Sequence, residues 1–200
     1  MYNWRKMTLE ERDSTLHHRR LQHLPWHSPP HFGGHELYLV SAANYEHAPI
    51  LGRNPERLEA FEKSWLEAMQ SSNSQIHAYC INPNHWHGLI GTLNLKCTLK
   101  SIAGLHGRTA RQWNQEDRRL GRSVWHRCTD RFIRSEGHFC ATRNYLHANP
   151  VRHGYVDEAH QWPFSSYSRF VEEVGIDEVR RLDRDFPLLD FGEGWDPPEL

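Results

Sequence analysis

An α+β fold on a split βαβ plan is predicted by three features of the 200-residue chain. Stretches of strand character stand at 36–43, 75–81, 85–93 and 124–134. Two segments with apolar residues at helical spacing lie between them, and a third follows the last. The order strand, helix, strand, strand, helix, strand, helix is that of a ferredoxin-like antiparallel sheet, helices mainly on one face, with an added C-terminal helix.

Each element carries its own signal. Glu36 to Ala43 reads as the first strand. Asn54 is a natural N-cap and Pro55 suits the first helical position, so a helix starts there and runs to about Gln70. Leu58, Phe61, Trp65, Leu66 and Met69 form its inner face. Gln75 to Ile81 is the second strand, and Asn82-Pro83-Asn84 reverses the chain into a third from His85 to Leu93. A second helix spans Thr98 to about Glu116, with Ile102, Leu105 and Trp113 inside and Lys100, Arg108 and Arg111 outside. Val124 to Arg134 gives the fourth strand. Ser135 caps a last helix with Phe139, Thr142, Arg143 and Leu146 on one face and His138, Tyr145 and Asn149 on the other; Pro150 and Gly154 end it. Residues 1–34 are expected to form an irregular arm, 35–170 the domain and 171–200 an acidic tail.

With 38% hydrophobic residues and 12% aromatics, the chain can bury one core. Cys80, Cys97, Cys128 and Cys140 match no C-x-x-C spacing and read as reduced thiols. No apolar run nears the roughly 20 residues that span a bilayer, and the charged start is unlike a signal peptide, so a cytoplasmic protein with no membrane association is expected. The net charge of −1 hides a division. From Lys96 to Arg134 ten cations face three acids, and from Val171 to Leu200 ten acids face three arginines. The basic middle can meet phosphate, while the acidic end stays in water or folds back over it.

Chemistry concentrates in Asn84-His85-Trp86-His87-Gly88 and in Tyr145-Leu146-His147-Ala148-Asn149-Pro150. Side chains two apart on a strand share a face, so His85 and His87 can hold one metal ion while Trp86 turns to the core. Tyr145 and Asn149, four apart, share a helix face. Asn149 suits the role of third, oxygen ligand, and Tyr145 is then placed to attack a phosphodiester whose charge the cation offsets. His147 points away from Tyr145 and reads as a structural hydrogen bonder.

These residues resemble a known family, the single-tyrosine HUH transposases, and more closely their REP-associated tyrosine transposase branch. The likeness rests on Pro83-Asn84-His85-Trp86-His87, on Val124-Trp125-His126-Arg127 with Asp130-Arg131-Phe132-Ile133-Arg134, on Asn144 to Gly154, and on Trp162-Pro163-Phe164-Ser165-Ser166-Tyr167. It implies His85, His87 and Asn149 as metal ligands, Tyr145 as nucleophile, and single-stranded DNA near a hairpin as substrate. It also implies Mg²⁺ or Mn²⁺ as cofactor, where ligand type alone favours Mn²⁺ or Zn²⁺. Relatives act as monomers or homodimers. Asn82 stands where many relatives have methionine, and Gly88 where a larger aliphatic residue is common, a change expected to loosen the strand.

Cations that track phosphate and aromatic faces that stack bases are the ingredients of single-strand binding. Lys100, Arg108, Arg111, Arg118, Arg119, Arg122, Arg127, Arg131 and Arg134 are the candidate DNA contacts, with Trp113 and Trp125 nearby in sequence. The expected function is metal-dependent nicking and strand transfer at hairpin repeats through a 5′-phosphotyrosine. The alternatives are a hairpin-binding protein without catalysis, and a metal-dependent phosphoesterase that uses water.

Overall fold

The computed structural model describes residues 36–188, with Thr8 and Glu10. Otherwise the expected arm at 1–34, and the last part of the expected tail, 189–200, lie outside the described residues. Strands β1 (Glu36–Ala43), β2 (Gln75–Ile81), β3 (His85–Thr92) and β4 (Thr129–Phe132) form one antiparallel sheet in the order β2-β3-β1-β4. The order and directions are those of the predicted α+β plan.

Helices α1 (Pro55–Ser71) and α2 (Leu95–Glu116) cover one face of the sheet. Their core joins Phe61, Trp65, Ile102, Leu105 and Trp113 to Val40, Trp86 and Ile90 of the strands. Helix α3 (Glu136–Arg152) covers the other face, where Phe139, Tyr145 and Leu146 meet Leu37, Leu39, Ala78 and Leu89. Period-two alternation along β3 therefore divides its side chains between the layers. Trp86 goes to the α1/α2 core, edge-on to Trp65 at 5.6 Å between ring centres, and His85 and His87 go to the α3 side.

Gly88 does not loosen the strand. A Cβ at this position would stand 2.6 Å from Cζ2 of the buried Trp65, so the missing side chain is the space that the indole fills.

Several boundaries differ from expectation, each for a local reason. Helix α2 begins at Leu95 because the Asn94 side chain accepts a hydrogen bond from Cys97 N at 3.1 Å. Only Thr129–Phe132 of the expected fourth strand pairs as one; Trp125 makes an isolated bridge to Asn44, and Val124 is buried in the α1/α2 core. Helix α3 starts on its predicted cap, Ser135, but continues through Pro150 to Arg152, and Gly154 follows at φ +70°. Two more helices, α4 (Tyr167–Val174) and α5 (Ile176–Asp185), occupy a stretch expected to be largely tail. Val179 and Leu182 of α5 are buried, and Asn144 of α3 donates to the carbonyls of Leu182 and Phe186, both at 3.1 Å. Among the described residues, no helix is long and apolar enough to cross a membrane.

Candidate active site

The β1–β3 register sets the site. Ser41 lies opposite His87 and Ala43 opposite His85. The Asn82-Pro83-Asn84 turn that starts β3 is tied down by Asn44 N donating to Asn84 O and Gly52 N donating to Pro83 O, each at 2.7 Å. Helix α3 crosses β2 and β3 and brings Tyr145 and Asn149 against the histidines.

The four residues predicted to act together are together. Tyr145 Oη is 3.5 Å from His87 Nε2, and Asn149 Oδ1 is 3.1 Å from His85 Nε2. The two imidazole centres are 5.0 Å apart. Relative exposure is 3% for His85, 4% for His87 and 1% each for Tyr145 and Asn149, so their polar atoms face one another in a nearly dry setting.

Hydrogen bonding assigns the proton on His85. Asn84 donates Nδ2 to His47 O at 3.1 Å, which turns its Oδ1 toward His85 Nδ1 at 2.6 Å. Nδ1 of a neutral His85 therefore carries the hydrogen, leaving the Nε2 lone pair to point at Asn149 Oδ1. Two acceptors facing each other at 3.1 Å are held by a donor, because Asn82 Nδ2 lies 2.9 Å from His85 Nε2 and also contacts Asn149 Oδ1. His87 has a similar outer tie, with Nδ1 2.6 Å from Ser41 Oγ and Nε2 turned inward.

This donor set fits a divalent cation. Metal-binding histidines commonly hold one ring nitrogen on an outer partner and offer the other. Neighbouring ligands about 2.1 Å from an octahedral ion stand roughly 3 Å apart, close to the His85–Asn149 separation. The set is two imidazoles and an amide; among the described residues, no group of three or more His, Cys, Asp or Glu is arranged to hold a metal.

Predicted DNA-contact residues divide into three places. Lys100, Arg108 and Arg111 are exposed on α2, across the sheet from Tyr145. Arg118 and Arg119 are exposed just beyond α2, and Arg122 is bound to Asp117 at 2.7 Å and to Asn114 at 3.0 Å. Arg127, Arg131 and Arg134 lie along the β4 edge, and Arg131 pairs with Leu39, a residue of the α3-side core. Trp113 is buried, and Trp125 stacks on His106 at 4.3 Å while donating to Thr109. Both indoles serve the core.

Besides Ser41, sequence reasoning missed three participants. Arg152 places its guanidinium carbon 5.4 Å from the Tyr145 ring centre, and its position seven residues on, two turns along the same face, is a readable signal. His153 sets its ring 4.8 Å from that of His85. Asn82 gives no local signal, because its role depends on the β2–β3 turn closing against α3. The structural reading of His147 holds: its Nε2 is 2.9 Å from Ser166 Oγ, and burial pushes its pKa down to about 3, so it stays neutral.

No family model matches the chain. A protein of Haemophilus influenzae with the provisional name REP-associated tyrosine transposase is 27% identical over 125 residues, or 58% of this chain and 71% of that protein. A solved structure described as a REP-associated tyrosine transposase bound to a REP hairpin shares the fold, with TM-score 0.54 and 18% identity over 74% of this chain and 86% of the other. The resemblance to the REP-associated tyrosine transposases read in the motifs is thus matched by a similar protein of that name and by a solved structure of the same fold.

Proposed function

We propose that this chain nicks single-stranded DNA at hairpin repeats and transfers the cut strand, using Tyr145 as nucleophile and a divalent cation, Mg²⁺ or Mn²⁺, held by His85, His87 and Asn149. The observation that carries the reading is the position of Tyr145 Oη, 3.5 Å from the inward nitrogen of His87 in the same cluster as His85 and Asn149. When bound, the cation supplies Lewis-acid polarisation of a non-bridging phosphoryl oxygen.

The chain's own residues supply nucleophile, orientation and electrostatics. Tyr145 attacks phosphorus with its phenolic oxygen, forming an ester to the 5′-phosphate, while the P–O3′ bond breaks and the departing oxygen takes a proton as a free 3′-hydroxyl. The phosphodiester energy is retained in the new ester, so a 3′-hydroxyl attacking it in reverse rejoins strands. Packing of α3 on β2 and β3 fixes the phenol in advance, which removes much of the entropic cost of approach. Arg152 beside the ring favours the phenolate that develops during attack. Exposed Arg127, Arg131 and Arg134, along the β4 edge, are better placed for the phosphates beside this site than the cations of α2.

The test is incubation of the full chain with labelled single-stranded hairpins and Mn²⁺. A denaturant-resistant protein–DNA adduct that Tyr145→Phe abolishes is the expected result. Cleavage without adduct, or a shifted but uncut hairpin, overturns the proposal in favour of water attack or of binding alone. The 1% exposure of Tyr145 favours binding alone as the second reading, since DNA must gain access to the phenol before it can react.

A further inference from the structure

Asn82 is fully buried at the end of β2, outside the predicted ligand set. Its Nδ2 spans His85 Nε2 and Asn149 Oδ1, and its Oδ1 accepts a hydrogen bond from Cys80 Sγ at 3.4 Å. That orientation suits two bare acceptors. It does not suit a cation between them, because an NH₂ group presents positive hydrogens to the same space. Rotation of the carboxamide by half a turn exchanges its ends, bringing Oδ1 inward and Nδ2 toward Cys80, whose sulfur is a weak acceptor as well as a weak donor. The turn would add a hard oxygen to a set containing two imidazoles, the change Mg²⁺ gains from most.

We propose that Asn82 is a two-state ligand. Its NH₂ end clamps His85 to Asn149 when no cation is held, and its Oδ1 joins the cation when one binds. The inference rests on the metal role given to His85, His87 and Asn149 above.

Calorimetric titration of the full chain with MgCl₂ and, separately, ZnCl₂, without DNA, tests it. Asn82→Met is expected to weaken Mg²⁺ binding at least about tenfold and Zn²⁺ binding less than about threefold; losing only an outer hydrogen bond, itself worth roughly 10–100-fold, would weaken both alike. Asn82→Asp presents oxygen in either orientation and is expected to tighten Mg²⁺ binding; it carries the test if the methionine variant does not fold. Mg²⁺ affinity unchanged in Asn82→Met, equal losses for the two metals, or weaker Mg²⁺ binding in Asn82→Asp overturns the proposal. His85→Ala separates the two levels. If it binds Mg²⁺ as tightly as the parent, the metal reading itself fails; if it loses binding while Asn82→Met keeps it, only the role of Asn82 fails.

Discussion

Replacing Gly88 with alanine tests how the strand that carries both histidines is packed. The new methyl carbon would stand 2.6 Å from Trp65 Cζ2 and 3.1 Å from Cη2. The indole cannot retreat freely, because it is fully buried and packs at 5.4 Å against Tyr79 and 5.6 Å against Trp86. Overpacking of this kind costs about 1–3 kcal/mol, and the usual gain of glycine-to-alanine replacement returns about 0.5–1. A net loss of about 1–2 kcal/mol is expected, equivalent to roughly 2–8 °C in Tm for a chain of this length. Urea unfolding should then find Gly88→Ala neutral or mildly stabilising on a Trp65→Leu background, where the clashing ring is gone. Equal destabilisation in both backgrounds, or a more stable Gly88→Ala in the parent, would refute the packing argument.

Three other outcomes follow from the same geometry. Asp117 joins the end of α2 to the start of α1 through Arg53 and Arg57 and also binds Arg122; the side chains of Asp117 and Arg57 are each 5% exposed. Asp117→Asn leaves Arg57 with only part of its compensation and should cost about 3 kcal/mol in urea unfolding. The Arg57 hydrogen bond, aided by Arg122 and Arg53, holds the Asp117 carboxyl well below the usual carboxylate range. Its contribution is therefore present above the unfolded pKa near 3.9 and lost as pH falls below it, and Asp117→Asn should flatten the acid limb of a stability–pH curve. For His147, burial with a further push from Arg143 gives a folded pKa of about 3, below the unfolded value near 6.5. The unfolded chain binds the extra proton between those values, so stability should fall by up to about 1.4 kcal/mol per unit as pH drops through this window, and His147→Gln should reduce that slope. Finally, Arg152→Met should slow adduct formation while Arg152→Lys restores it in part; an unchanged rate would remove Arg152 from the chemistry.

What the sequence revealed was mostly local. The Asn54–Pro55 start of α1 is a contact within one turn, and the Asn54 side chain does accept from Arg57 N at 2.8 Å. The common face of His85 and His87 follows from strand alternation, and that of Tyr145 and Asn149 from helical spacing. Their meeting was legible only because the two pairs were read as one constellation. Helices α4 and α5 escaped notice because their dense charge masks short apolar faces such as Val179 and Leu182. Helix α3 shows no single inner face because it is enclosed, with the sheet on one side and Ser166, Leu182 and Phe186 receiving His147 and Asn144 on another. Trp113 and Trp125 stand beside arginines in sequence, yet the α1/α2 layer claims their rings. Asn82 and Ser41 were unreadable as site residues because one acts across a turn and the other across a strand pair, whereas Asn84 meets its own neighbour His85.

The decisive step of the proposed reaction is the bonding of the Tyr145 phenol to DNA phosphorus beside the two histidines. Tryptic digestion after reaction with a hairpin oligonucleotide and Mn²⁺, followed by mass spectrometry, reads this directly, because cleavage after Arg143 and Arg152 isolates Asn144 to Arg152 with Tyr145 as its sole tyrosine. The predicted result is that peptide carrying a 5′-phosphonucleotide on Tyr145, present in the parent and absent in His85→Ala. A nucleotide on another tyrosine, or cut DNA with the peptide unmodified, would contradict it.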